Sequence, residues 1–136
     1  MGVGISGRGE LVTEEQKRLV LTLPIVPSVN NCYRNISIHR RILTAYGKAW
    51  KEEVQLLAKM EAKKQGWEFV AGKKLVMELR HFWPDHRRRD PGNSHKLLPD
   101  SLEGVLFDDD RWLLIRDIDF AVDKSNPRVE VVLYPL

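Results

Sequence analysis

Apolar and polar residues alternate most regularly from position 74 to 83. Leu75, Met77, Leu79, His81 and Trp83 fall on one side, and Val76, Glu78, Arg80 and Phe82 on the other. A period of two predicts a strand with one face on a core. Upstream, Tyr46, Trp50, Val54, Leu57 and Met60 recur at three- and four-residue spacing. That spacing predicts a helix over 45–64, with Thr44 as its N-cap and Gly66 as its end. A first strand is expected over 17–23, followed by turn-rich chain over 24–34. Residues 36–43 fit a basic loop or a ribbon. Downstream, 93–103 reads as a helix closed by Gly104, with Pro99 inside it removing a backbone donor and kinking or delaying the helix. Two strands are expected over 113–122 and 128–134, joined by a turn at Ser125-Asn126-Pro127. The order β-α-β-α-β-β predicts a single α+β domain over 17–136, a sheet with helices packed on it, preceded by a flexible arm over 1–16.

Composition narrows the class. The chain has 136 residues, 43% of them hydrophobic, enough for one domain that buries about two-thirds of its unfolded surface. Cys32 is the single cysteine, so no intramolecular disulfide can form, and a reducing, cytoplasmic setting is expected. Pro24 and Pro27 interrupt the most apolar stretch, well short of the roughly 18 residues of a membrane span. The glycine-rich start lacks an apolar leader. Met1-Gly2 with Ser6 fits a myristoylation pattern in form, but that pattern is short. The start also lacks the Lys-Ser/Thr of a phosphate-binding loop, so no nucleotide cofactor is expected.

The net charge of +3 permits a polyanionic partner, and its distribution is more informative than its size. His86-Arg87-Arg88-Arg89 stands directly before Asp90, and Asp108-Asp109-Asp110 follows about twenty residues later. Asp90 precedes Pro91, which biases it toward extended backbone at a strand end or loop. Lys96 and Asp100 are four apart, on one helix face. Two carboxylates about 4 Å apart repel by roughly 4 kcal/mol at an effective dielectric near 20. Bringing Asp90 to Asp109 or Asp110 therefore calls for a cation, and hard divalent cations take oxygen ligands. Such a site can activate water and hydrolyse phosphodiesters, with lysine offsetting charge and arginines gripping phosphates. The bland readings are a solvated acidic loop, a solvated arginine run and a surface Lys96–Asp100 ion pair. His81, on an apolar face, reads as a core histidine. His39, His86 and His95 have no partner at zinc-ligand spacing, and Cys32 reads as an ordinary thiol.

The segment from Pro84 through the arginine run to Asp90, then Asn93, Lys96, Asp100, Leu102, Gly104 and Asp109-Asp110, resembles the signature of the RusA family of Holliday junction resolvases. Leu23-Pro24, Pro27-Ser28-Val29-Asn30-Asn31 and Tyr33-Arg34 are similar to the family's opening strand and turn, so the resemblance spans about 19–136. It implies a homodimeric, Mg²⁺-dependent endonuclease, with Mn²⁺ as an alternative ion, that nicks opposing strands of four-way DNA and is bacterial or phage-encoded. By position, Asp90, Asp109 and Asp110 would hold metal, while Asp90, Lys96 and Asp110 would be catalytic. Arg87, Arg88, Arg89, Asn31, Arg34, Arg40 and Arg41 would contact DNA. The family's second aspartate falls on Gly92, which offers no ligand; Asp108, His95 or an extra water are the candidates to replace it. Two readings follow: a junction-cutting enzyme, or a weak or inactive branched-DNA-binding protein on the same scaffold. A basic protein unrelated to the family is the third.

Overall fold

In a computed structural model of the chain, residues 17–38 and 40–136 are described. The expected N-terminal arm, with its Met1-Gly2 pattern, and His39 lie outside the described residues. The order is β1 (Leu19–Leu23), α1 (Val29–Cys32), β2 (Tyr33–Ser37), β3 (Arg40–Leu43), α2 (Ala45–Gln65), β4 (Leu75–Trp83), a 3-10 turn (Pro91–His95), α3 (Leu97–Leu102), a second 3-10 turn (Asp110–Trp112), β5 (Leu113–Val122) and β6 (Arg128–Pro135). This is the expected α+β class, with additions. The basic stretch forms a ribbon, β2 paired antiparallel to β3. The turn-rich segment contains α1, capped by Ser28 Oγ accepting from Asn31 N.

β1, β6, β4 and β5 lie in that order in a four-stranded sheet. β6 runs antiparallel to β1 and β4, while β5 runs parallel to β4. The last two strands are joined by the expected turn, yet they are not neighbours in the sheet. Val122 pairs with Trp83 and Arg128 with Phe82, so 123–127 pass across the end of β4. Burial explains the order. Val129, Val131 and Leu133 of β6 are fully buried and suit an inner strand. β5 carries Arg116, Asp117 and Asp119 mid-strand and suits an edge.

α2 packs Trp50, Val54 and Ala58 into a core shared with Leu19, Leu21, Leu23, Leu75, Met77 and Leu79. Truncating one such residue, Leu21→Ala, costs about 2–5 kcal/mol through lost burial and a cavity. Thr44 Oγ1 accepts from Gly47 N at 3.1 Å, and Gly66, at φ 73°, ends the helix. The buried stripe differs from the one expected: Tyr46 and Met60 are about 60% exposed, and Gly47 and Ala58 face inward instead. A Cβ at Gly47 would lie 2.6 Å from the Cys32 carbonyl oxygen, so α1 approaches a small-residue face that periodicity in large residues does not reveal. The segment 93–103 is likewise two elements. Pro99 sits in the first turn of α3, where its missing N–H is tolerated, so it delays the helix.

Candidate metal centre and nucleic-acid interface

The acidic knot is fixed from behind. Leu106 and Phe107 are buried, and Trp67 Nε1 donates to the Leu106 carbonyl at 3.1 Å. Asp108 N donates to the Val70 carbonyl at 3.0 Å, and both Asp108 oxygens accept from Gly72 N, at 3.2 and 3.1 Å. The three aspartates consequently divide their work. Asp108 ties the loop to 70–72. Asp109 caps the second 3-10 turn, accepting from Arg111 N at 2.9 Å. Asp110 N donates to Glu103 Oε1 at 2.9 Å, clamping the knot to the end of α3.

Glu103, Asp109 and Asp110 bring carboxylate oxygens within 4.8 Å of one another. Burial, then the negative charges of Glu103, Asp100 and Asp109, push the Asp110 carboxyl above its usual range. Asp100 extends the cluster, with Lys96 Nζ 3.6 Å from its Oδ2. Tyr33 OH donates to the same oxygen at 3.4 Å, and Lys96 Nζ lies 5.2 Å from the Tyr33 ring centre. Burial, then Asp100, pushes the Tyr33 phenol up to about 12, so it stays protonated and remains a donor. An all-carboxylate donor set, with the Asp110 carboxyl raised by burial and its acidic neighbours, fits a hard divalent cation.

Asp90 is not among these three. It opens the first 3-10 turn, where its Oδ1 accepts from Gly92 N at 2.9 Å. The turn is anchored by Ser94 Oγ, which donates to the Pro91 carbonyl at 3.0 Å. Its single hydrogen being used, Ser94 must accept from His81 Nε2, also 3.0 Å away. This assigns the His81 tautomer and leaves Nδ1 buried without a partner among the described residues. His81 is thus the core histidine expected, and burial lowers its pKa. Neither candidate replacement for the missing carboxylate is free: Asp108 holds Gly72, and His95 Nε2 lies 2.8 Å from Asp117 Oδ2. That nitrogen has no aligned hydrogen bond, so the two side chains lie close without a directed bond. A Cβ at Gly92 would lie 3.3 Å from Asp90 Oδ1.

The basic candidates fall on two elements. Arg34, Arg40 and Arg41 are exposed on the β2–β3 ribbon, whose first residue is Tyr33, with Arg41 Nε donating to Asn35 Oδ1 at 3.2 Å. Arg87 and Arg88 are exposed in the loop after β4. Arg89 is engaged, its guanidinium 2.7 Å from Asp85 Oδ1. The Arg89 side chain, then the Arg87 backbone N–H, hold Asp85 down to about 2. Asn31 is exposed on α1, its carbonyl accepting from Thr44 Oγ1 at 2.8 Å. A cavity of about 260 Å³ joins Arg87 through Asp90 to Ile25–Ser28, Asn93 and Ser94.

Sequence reasoning missed Glu103 and Tyr33 as members of the site. Glu103 carried a faint signal, standing three residues after Asp100 on the same turn. Tyr33 stood in the family-like opening motif, but its place beside Asp100 depends on where the ribbon meets α3. Among the described residues, no helix is long and apolar enough to cross a membrane. No curated protein matches the chain. The family described as Endodeoxyribonuclease RusA matches residues 23–134, from the end of β1 through the acidic site to β6. The chain therefore belongs to the RusA family of endodeoxyribonucleases.

Proposed function

We propose that the protein is a Mg²⁺-dependent endonuclease that resolves four-way DNA junctions by paired nicks, acting as a homodimer. The observation that carries this reading is the carboxylate cluster of Glu103, Asp109 and Asp110, bordered by Lys96 and the basic ribbon. Asp110, with Asp109 and Glu103, would hold Mg²⁺ or Mn²⁺, with Asp90 standing outside that group at the head of its own turn. When bound, such an ion lowers the pKa of water and offsets charge at phosphorus. The chain's own groups do the rest. Arg34, Arg40, Arg41, Arg87 and Arg88 hold the backbone phosphates. Lys96 offsets the negative charge that grows on the phosphoryl oxygens. Asp90, which lies outside that three-carboxylate group, would accept the proton of the attacking water, and the departing 3′ oxygen would take a proton from solvent. Water attack breaks the bond from phosphorus to the 3′ oxygen, leaving 5′-phosphate and 3′-hydroxyl ends.

A second reading has its own observation. Gly92 stands where the family motif carries a carboxylate, and Asp108 and His95 are both engaged elsewhere. On that reading the chain binds branched DNA and cuts it slowly. Labelled four-way junction and matched linear duplex, each with Mg²⁺ and with chelator, separate the two. Symmetric nicks on the junction alone, dependent on Mg²⁺, are the expected result. Tight junction binding without nicks would establish the second reading, and equal affinity for both DNAs would overturn both.

A further inference from the structure

β5 is the outer strand of the four-stranded sheet, and no strand pairs with its free edge among the described residues. It is ten residues long, and Ile118 and Phe120 are 44% and 60% exposed on it. A long, partly apolar open edge is a template for pairing with another chain. The strand also carries a bulge. Asp117 lies opposite Leu79 and Asp119 opposite Arg80, which leaves Ile118 as the extra residue. The bulge changes which residues share a face. Leu113 and Ile115, then Phe120 and Val122, lie opposite Leu75, Met77, His81 and Trp83; Leu114 and Arg116, then Asp119 and Ala121, lie opposite Val76, Glu78, Arg80 and Phe82.

We propose that β5 pairs antiparallel with β5 of a second copy of this chain, about a two-fold axis between Asp117 and Ile118. In that register Arg116 of one copy stands opposite Asp119 of the other, Ile115 opposite Phe120, Leu113 opposite Val122 and Leu114 opposite Ala121. Each pair shares a face, as antiparallel neighbours must, and only the bulge makes this so. Within each copy Arg116 already lies opposite Glu78 and Asp119 opposite Arg80. The joined sheet would therefore carry rows of Glu78, Arg116, then the second copy's Asp119 and Arg80, with charge alternating across the junction. Sliding the strands by one residue sets Asp117 against its own copy or against Asp119, and like charges directly opposite are disfavoured. The partner is thus specified by self-complementarity, the property an isologous interface requires.

This inference deepens the homodimer reading and rests on it, and its test reads association apart from cleavage. The full chain is prepared as Arg116→Cys and Asp119→Cys and mixed under mild oxidation, with Cys32 buried and out of reach. Directly opposed residues sit about 5 Å apart between Cα atoms, within bridging range. The mixture is expected to form a covalent heterodimer. Arg116→Cys alone should not crosslink, because two copies of position 116 would be offset by three residues, about 10 Å along the strands. In sedimentation, the wild type should run as a dimer, and Arg116→Glu should dissociate it at least about tenfold more readily by setting like charges opposite in both symmetric pairs. A dimer without heterodisulfide would put the interface elsewhere. A wild-type monomer whose junction binding falls with Phe120→Ala would assign this edge to DNA; either result overturns the proposal. A crosslinked dimer that cuts no DNA would leave the interface standing and contradict the nuclease reading alone.

Discussion

At the scale of single residues, Gly92 and Glu103 bear most directly on the site. An aspartate at Gly92 would begin 3.3 Å from Asp90 Oδ1, so a small shift of the Asp90 side chain accommodates it and leaves two carboxylates side by side. Without a divalent ion their repulsion, roughly 4 kcal/mol at 4 Å and a dielectric near 20, should lower the melting temperature of Gly92→Asp. Millimolar Mg²⁺ should restore it and raise cleavage on the order of tenfold, the scale on which residues around a metal site change activity. Equal melting with and without Mg²⁺ would contradict this arrangement. Glu103→Gln is the complementary change. Glutamine keeps the oxygen that accepts from Asp110 N but removes the charge, so folding should persist while Mg²⁺ affinity, read by calorimetry, falls about 10- to 100-fold. The sequence announced the aspartates of this site because they stand in a recognisable order. It did not announce Glu103, because an isolated glutamate acquires meaning only when the acidic knot folds back onto the end of α3.

At the scale of elements, the ribbon and the first 3-10 turn lead to separate predictions. Arg34 and Arg41 are exposed on the ribbon and would contact phosphates. Arg41→Ala should weaken binding about equally for all DNA sequences and reduce the slope of log affinity against log salt by about 1. A loss confined to one sequence would contradict a phosphate contact. The 3-10 turn hangs from β4 through Ser94 and His81, and burial lowers the His81 pKa from 6.5. Above that value the ring is neutral in both folded and unfolded chains and imposes no pH dependence. Below it the unfolded chain takes up the proton first, so stability should fall as the pH drops from about 7 toward 5. Thermal melts across that range should show the decline, and His81→Phe should flatten it. Element boundaries were legible where a single periodicity ruled, as in β4 and α2. They were not legible where contacts decide: the break before α3 follows from Pro99 and its buried surroundings, and the rotation of α2 from a backbone approach at Gly47.

At the scale of the whole molecule, strand order was the least legible feature. A short turn between β5 and β6 suggests neighbours, yet β4 lies between them, because the apolar strands take the inner positions and the charged one takes the edge. That order leaves the outer edge of β5 for a second copy, which would give the two-fold arrangement suited to paired nicks on a two-fold junction. On the proposed reading, the carboxylates around Asp110 make this RusA-family chain a cutting enzyme. The most direct test of that reading is single-turnover cleavage of a four-way junction in Mg²⁺ by wild type and Asp110→Asn, with junction affinity measured alongside. Symmetric nicks are expected for the wild type and a loss of at least about a hundredfold in rate for the variant, with binding retained. Equal rates for the two proteins would contradict that reading.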